Sequence, residues 1–278
     1  MRVKREHLGV LFNRLYDRGD DVFTISHPSD EVGDLVQVAL SHDDDSATVR
    51  FTRNREEYAT ARQDVERAYP EEVGNDLPTA ADYLQAVVAS GVLRIANYDE
   101  VTQFVERHGD PDLMAGHPPV VAGFDTNLMP WRIDRLLGLR DPDEGVGYVN
   151  GFVLATGVRE ELDWEYKCHD TDPFVEAFGD AYEEYWNQSL GAARKGRLGL
   201  LTYRSIRDIQ QAEEITSEAD DESIIDAYEA FDQERRNDVL LFSNDRNFVE
   251  RARTHRLLGQ RIAFPDELPR ETDATWGE

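Results

Sequence analysis

The chain has 278 residues, 40% of them hydrophobic, which is enough apolar material for one large domain or two small ones. Its 57 Asp and Glu against 30 Lys and Arg leave a formal charge of −27, spread between the apolar runs rather than gathered into one block. A single cysteine, Cys168, excludes an internal disulfide framework and a cysteine-built zinc site.

Dispersed acid of this kind reads as the solvated shell of a folded domain, not as a disordered tail. Such shells suit a salt-loaded, halophilic cytoplasm, where ionic strength screens self-repulsion. On that reading the whole-chain charge says little about nucleic-acid partners, whose phosphates are met by Lys and Arg, and local charge has to be read instead. The basic start, Met1 to His7, has no apolar run behind it and does not read as a signal peptide. No apolar run approaches the ~18 residues of a membrane span, so a soluble, cytoplasmic protein without a membrane partner is expected.

In chain order, the pattern predicts a helix over 6–16 and strands over 35–41 and 46–52. The second strand alternates Ala47, Val49 and Phe51 against Thr48, Arg50 and Thr52, with Asp43-Asp44-Asp45 as the turn before it. Helices follow over 55–69, 79–90 and 98–108, with Thr79 and Asp99 at the starts of the last two. Gly, Pro and short polar residues from Gly109 to Pro119 mark a boundary. Residues 1–114 therefore read as a small α+β domain that carries no chemical signature.

Beyond the boundary, strands and helices alternate. Strands are expected at 120–124, 151–155, 239–242 and 261–264, and helices at 159–167, 173–190, 204–214, 222–234 and 247–257. Residues 119–268 thus read as an α/β domain, a Rossmann-like parallel sheet with helices on both faces, and 269–278 as an acidic tail. Two carboxylates, Asp125 and Asp245, stand directly after the strongest apolar strands, at the sheet edge where α/β folds bind ligands. A helix-capping role is the competing reading for either one alone. The haloacid-type phosphotransferase pattern fails, because Asn127 stands where a second Asp is needed.

The remaining acids bring a family resemblance. Asp125-Thr126-Asn127 resembles the opening motif of PIN-domain nucleases, and Glu160-Glu161-Leu162 resembles their Glu-Leu pair on the next helix. Asp221-Glu222-Ser223-Ile224 resembles the third motif, and Ser243-Asn244-Asp245-Arg246-Asn247-Phe248 the fourth. The last two together look most like PIN domains of eukaryotic RNA-surveillance endonucleases. The resemblance spans about 119–268 and implies a metal-dependent endoribonuclease leaving 5′-phosphate and 3′-hydroxyl ends. It implies Asp125, Glu161, Asp221 and Asp245 as catalytic metal ligands for one or two Mg²⁺ or Mn²⁺ ions.

The physics agrees with that set, since hard cations prefer carboxylate oxygens and relieve the repulsion among converging acids. Only one of Glu160 and Glu161 can face the site, and Leu162 favours Glu161. Asp220 and Asp226 compete with Asp221, which the Ile register favours. Asn127, Ser243 and Asn244 are expected to orient ligands or water, or to serve as turn residues.

Arg194, Lys195, Arg197, Arg204 and Arg207 form a basic stretch against the acidic background, and Arg246 begins another with Arg251, Arg253, Arg256 and Arg261. Arg194, Lys195, Arg197 and Arg246 are the expected phosphate contacts, with Tyr203 and Trp131 as stacking platforms for an unpaired base. The plainer reading pairs Arg251 and Arg256 with nearby acids and puts the aromatics in the core. RNA is the expected partner, alongside a possible protein partner such as an antitoxin or a processing complex. A non-catalytic PIN-type scaffold and a structure-specific DNA nuclease are the competing functions.

Overall fold

A computed structural model describes residues 22–27, 31–41, 46–68, 78–109, 113–139, 145–167, 176 and 192–275. The expected helices at 6–16 and 173–190 lie outside the described residues. Among those described, no helix is long and apolar enough to cross a membrane.

The first sheet is antiparallel, in the order β1 (Val22–Ser26), β2 (Asp34–Leu40), β3 (Ser46–Phe51), β9 (Glu271–Thr275). The alternation in β3 holds, with Ala47, Val49 and Phe51 buried. Val49 and Phe51 pack with Tyr58, Ala61 and Val65 of α1 (Arg55–Ala68) and Leu84 and Val87 of α2 (Ala80–Ala89). Helix α1 starts on a reciprocal cap, in which Glu57 N–H donates to Asn54 Oδ1 and Asn54 N–H to Glu57 Oε2. Thr79 and Asp82 form the same box at α2, as its sequence suggested.

Two parts of this sheet escaped the sequence reading. Strand β1 is an edge strand with Val22 and Ile25 both 56% exposed, so no buried face shows in its pattern. Residues 271–275, expected within an acidic tail, instead pair antiparallel with β3. Buried Leu268 anchors the return, and Arg50 meets Glu271 at 3.1 Å across the pair. Glu271 and Asp273, two of the acids that suggested a tail, are outward residues of a strand.

The second sheet is the α/β unit. Five parallel strands run in the order β6 (Glu213–Ile215), β5 (Gly151–Ala155), β4 (Val120–Phe124), β7 (Asp238–Ser243), β8 (Leu258–Arg261). All five residues of β4 are buried, as a central parallel strand covered by helices requires. Its flanking helices are α3 (Tyr98–His108), the short α4 (Ile133–Leu137), α5 (Thr156–Lys167), α6 (Ala192–Arg204), α7 (Asp221–Arg235) and α8 (Arg246–Thr254).

Helix α3 was expected in the first domain, but Val101 and Val105 are fully buried in the core of the parallel sheet. Its Phe104 meets Phe242 of β7 edge-on, with ring centroids 6.1 Å apart. Helix α3 therefore packs with the parallel sheet, although the expected boundary places it in the first domain.

The helix expected at 204–214 is also displaced. Helix α6 ends at Arg204, one π-turn follows over Ser205–Ile209, and β6 begins at Glu213. Gly196 and Gly199 concealed α6, because glycine reads as a helix breaker. Here it lets α6 press on α5, where a Cβ on Gly199 would sit 2.3 Å from Leu162 Cδ2. The last strand falls at Leu258–Arg261 instead of 261–264, with Gly259 lying close to the Val249 backbone.

Candidate metal centre

Strand order reverses between β4 and β7, the position beyond whose carboxyl ends open α/β sheets bind ligands. The register aligns Phe124 with Phe242, and the Asp125 N–H donates to Phe242 O at 3.0 Å. This puts the Asp125 side chain beside Ser243. The Ser243 hydroxyl donates to Asp125 Oδ2 at 2.5 Å and accepts from the Asp245 N–H at 2.9 Å.

Asp125 is only 4% exposed. Burial pushes its carboxyl up to about 7, and the charges of Asp221 and Glu161 add to that, against the Ser243 hydroxyl and the Thr126 N–H. Buried Tyr228 of α7 fixes the strand end by donating to Phe124 O at 3.0 Å and accepting from the Ala155 N–H at 3.3 Å. Gly123 makes room for that ring, since a Cβ there would lie 2.6 Å from Tyr228 Cε1.

Glu161 faces the same place from α5, while Glu160 is exposed. Its carboxyl is also raised, by burial first and then by Asp221, Glu165 and Asp220, against a hydrogen bond donated by the Thr126 hydroxyl. Thr126 thus ties the first motif to the second. The sequence reading gave it no role, although it lies inside the Asp-Thr-Asn triplet.

Asp220 and Asp221 separate cleanly. Asp220 is the N-cap of α7 and accepts from the Ser223 N–H at 3.0 Å, whereas Asp221 is the residue whose charge reaches both Asp125 and Glu161. A latch brings it there. The Thr156 hydroxyl donates to Ser217 O at 3.2 Å and accepts from the Ser217 N–H at 3.0 Å, and the Gly157 N–H donates to Ser217 Oγ at 2.8 Å. A Cβ at Gly157 would lie 2.0 Å from Glu218 O, so only glycine fits against this loop.

Asp245 stands at the same edge but caps α8, accepting from the Asn247 N–H at 2.7 Å. Asn127 Oδ1 faces the Asn244 N–H at 3.5 Å, joining the loops after β4 and β7. Three of the four expected carboxylates are therefore brought into electrostatic contact, and the fourth is engaged at a helix start.

A second group lies beside them. Arg251 of α8 ion-pairs with Asp221 and lies 3.8 Å from Glu222. One turn on, Glu222, Asp226 and His255 place three ligand-type atoms within 4.8 Å of one another; among the described residues this is the group that closes to that spacing, not the expected quartet. His255 Nδ1 is 2.7 Å from Glu229, and Glu229, Asp226 and Glu222 all hold its ring above its ordinary pKa. The sequence reading assigned His255 nothing, although acids at 222, 226 and 229 share one helical face.

The expected phosphate contacts divide. Lys195 is 2.7 Å from Asp82 and staples α6 to α2. Arg246 pairs with Glu250 at 2.8 Å on an exposed face. Arg207 is held by Asp208 and Glu214. Arg197 and Arg204 are exposed and have no carboxylate partner among the described residues; the Arg194 side chain lies outside them. Tyr203 and Trp131 are core residues and offer no stacking face, at 0% and 4% exposure. The Tyr203 hydroxyl instead donates to Glu214 at 2.9 Å.

No protein-family model matches the chain, and no curated protein matches it.

Proposed function

We propose that the protein is a divalent-metal-dependent nuclease of the PIN type that hydrolyses phosphodiester bonds of RNA. The carrying observation is the convergence of Asp125, Glu161 and Asp221 at the switch point of the sheet, with the Asp125 carboxyl pushed up to about 7. Neighbouring carboxylates whose charges oppose one another form an all-oxygen donor set, which suits Mg²⁺ or Mn²⁺. Asp125, Glu161 and Asp221 would hold the ion, and Asp245 stands nearby as a fourth acid. The bound ion supplies positive charge against the charge that builds on a phosphodiester under attack, and acidifies water. The hydroxyls of Ser243 and Thr126 each fix one oxygen, of Asp125 and of Glu161 respectively, and the Thr126 N–H also holds the Asp125 carboxyl.

A non-catalytic scaffold is the second reading, and one observation favours it. Arg251 already neutralises Asp221, so a guanidinium stands where an ion would otherwise be shared. Cleavage of matched single-stranded RNA and DNA oligonucleotides, with Mn²⁺ or Mg²⁺ and with EDTA, separates the readings. Metal-dependent cleavage of RNA is expected. Cleavage of DNA alone would move the assignment to a DNA nuclease, and cleavage of neither would leave the scaffold.

A further inference from the structure

A cleft of about 260 Å³ lies between the two sheets' units, walled by Arg55 of α1, Leu84 and Gln85 of α2, and Asn244, Arg261 and Phe264. Asn244 in its wall stands in the chain between Ser243, the residue holding Asp125, and Asp245. We infer that this cleft carries one arm of a single-stranded RNA away from the carboxylates, with Arg55 and Arg261 as its phosphate contacts. The inference rests on the nuclease reading, and it gives the first unit a role in holding substrate.

Charge is the first argument. In a chain of −27, two arginines line one small cleft beside the acidic site. Arg261 spends its Nε on Asn244 O at 3.3 Å and has no carboxylate partner among the described residues, so the rest of its fork remains to be used. Arg55 donates to the backbone carbonyl of Asp266, an acid that also lines the cleft, at 3.3 Å, and lies 3.7 Å from its carboxylate, whose side chain is 96% exposed. Such an open pair contributes little, and a phosphate can displace it. A planar fork is the group best matched to phosphate oxygens.

Size and composition are the second argument. The volume is below the ~300 Å³ lower end of ordinary ligand pockets, so the cleft admits a nucleotide unit of one strand and not a duplex. The Gln85 and Asn244 amides beside half-buried Phe264 provide polar and apolar walls for a sugar and base without a charge code. Sequence-tolerant single-strand binding has this composition.

The test uses the full chain and a fluorescein-labelled 20-nucleotide single-stranded RNA in EDTA, so that affinity is read without cleavage. Anisotropy across a KCl series gives affinity and its salt slope. The double variant Arg55→Gln/Arg261→Gln should bind about tenfold more weakly. Its slope should fall by roughly 1.4, or about 0.7 for each lost single-strand phosphate contact. Arg261→Lys, which keeps the charge, should keep most of the slope. Arg67→Gln, in the last turn of α1, should match wild type. Wild-type affinity and slope in the double variant, or no RNA binding by wild type, overturns the inference. The Mn²⁺ cleavage assay run in parallel keeps the two ideas apart. A wild type that cleaves, with a double variant that binds normally, removes only the cleft. A wild type that binds through these arginines but cleaves nothing removes only the nuclease.

Discussion

Asp125→Asn is the most informative single change, because the structure gives it opposite effects on stability and on activity. The carboxyl is 4% exposed and rises from 3.8 to about 7, so its ionised form opposes folding. A native pKa raised above the unfolded one means that full stability is present below about 3.8 and is lost as pH rises through about 7. At 1.36 kcal/mol per tenfold, the loss approaches roughly 4 kcal/mol at pH 8. Asparagine abolishes it and keeps an acceptor for the Ser243 hydroxyl. Its amide group then meets the Thr126 N–H in place of an acceptor, which costs about 1 kcal/mol. In EDTA at pH 8, Asp125→Asn should be more stable than wild type by roughly 3 kcal/mol. The gap should shrink by about 2.5 kcal/mol between pH 8 and pH 5, a difference in which the constant hydrogen-bond loss cancels. Urea melts of both proteins at matched ionic strength measure it, and the variant should cleave nothing. Added Mn²⁺ should stabilise wild type and leave the variant nearly unmoved. A variant less stable than wild type at pH 8, with a gap independent of pH, would refute the buried-charge reasoning.

Other changes probe the supports of the site. Glu161→Gln should lower metal-dependent cleavage roughly 100-fold or more, above the 10–100-fold typical of residues that only orient ligands, while exposed Glu160→Gln stays near wild type; the reverse ranking would put the wrong face of α5 in the crevice. Gly157→Ala should lower stability by about 1–3 kcal/mol and cleavage with it, because its Cβ meets a backbone oxygen that no rotamer can move; an unchanged urea midpoint would show that the Ser217 latch is loose. The His255 ring should titrate above 6.5 by NMR and fall back in Glu229→Gln. Its ion pairs then add stability that is full below 6.5 and fades as pH rises through the raised value, and a wild-type midpoint at or below 6.5 would contradict the clustered geometry.

What the sequence made legible was whatever it repeated locally. The runs Val120–Phe124 and Gly151–Ala155 fall where expected because a buried parallel strand is apolar throughout. Asp125 was legible as the residue after a strand, Asp221 as one opening a helix, and Glu161 only through the Glu-Leu pair that the resemblance supplied. The features that were not legible depend on distant residues. Nothing near 271–275 says that an acidic segment will pair with β3, and nothing in Tyr98–His108 says which of two cores receives Val101. Lys195 and Tyr203 have the right chemistry for a nucleic-acid contact, but Asp82 and Glu214, remote in sequence or across a turn, take up their polar atoms. The pairing of Arg251 with Asp221 was foreseeable only as the plainer reading of an arginine among acids.

That pairing bears on which function the crevice favours. Arg251 reaches Asp221 and Glu222 from α8, so it relieves repulsion at the outer end of the carboxylate group. The charges acting most strongly on Asp125 and Glu161 are those of other acids, and both carboxyls remain raised with Arg251 in place. A scaffold held together by Arg251 would gain from an uncharged residue at 125, where burial alone makes a carboxylate unfavourable. The hydroxyls of Ser243 and Thr126 instead hold charged oxygens in a crevice that protons or a divalent cation can satisfy. Near pH 7 the proton half-satisfies Asp125, and a bound cation would satisfy it fully. Arg251 then competes with that cation for Asp221 alone. Arg251→Gln should therefore raise Mn²⁺ affinity if Asp221 is a ligand, by removing the competitor, and lower it if the arginine serves only to hold α7 in place. Isothermal titration of the two proteins with Mn²⁺ reads that sign directly, and a weaker site in the variant would count against Asp221 as part of the metal centre.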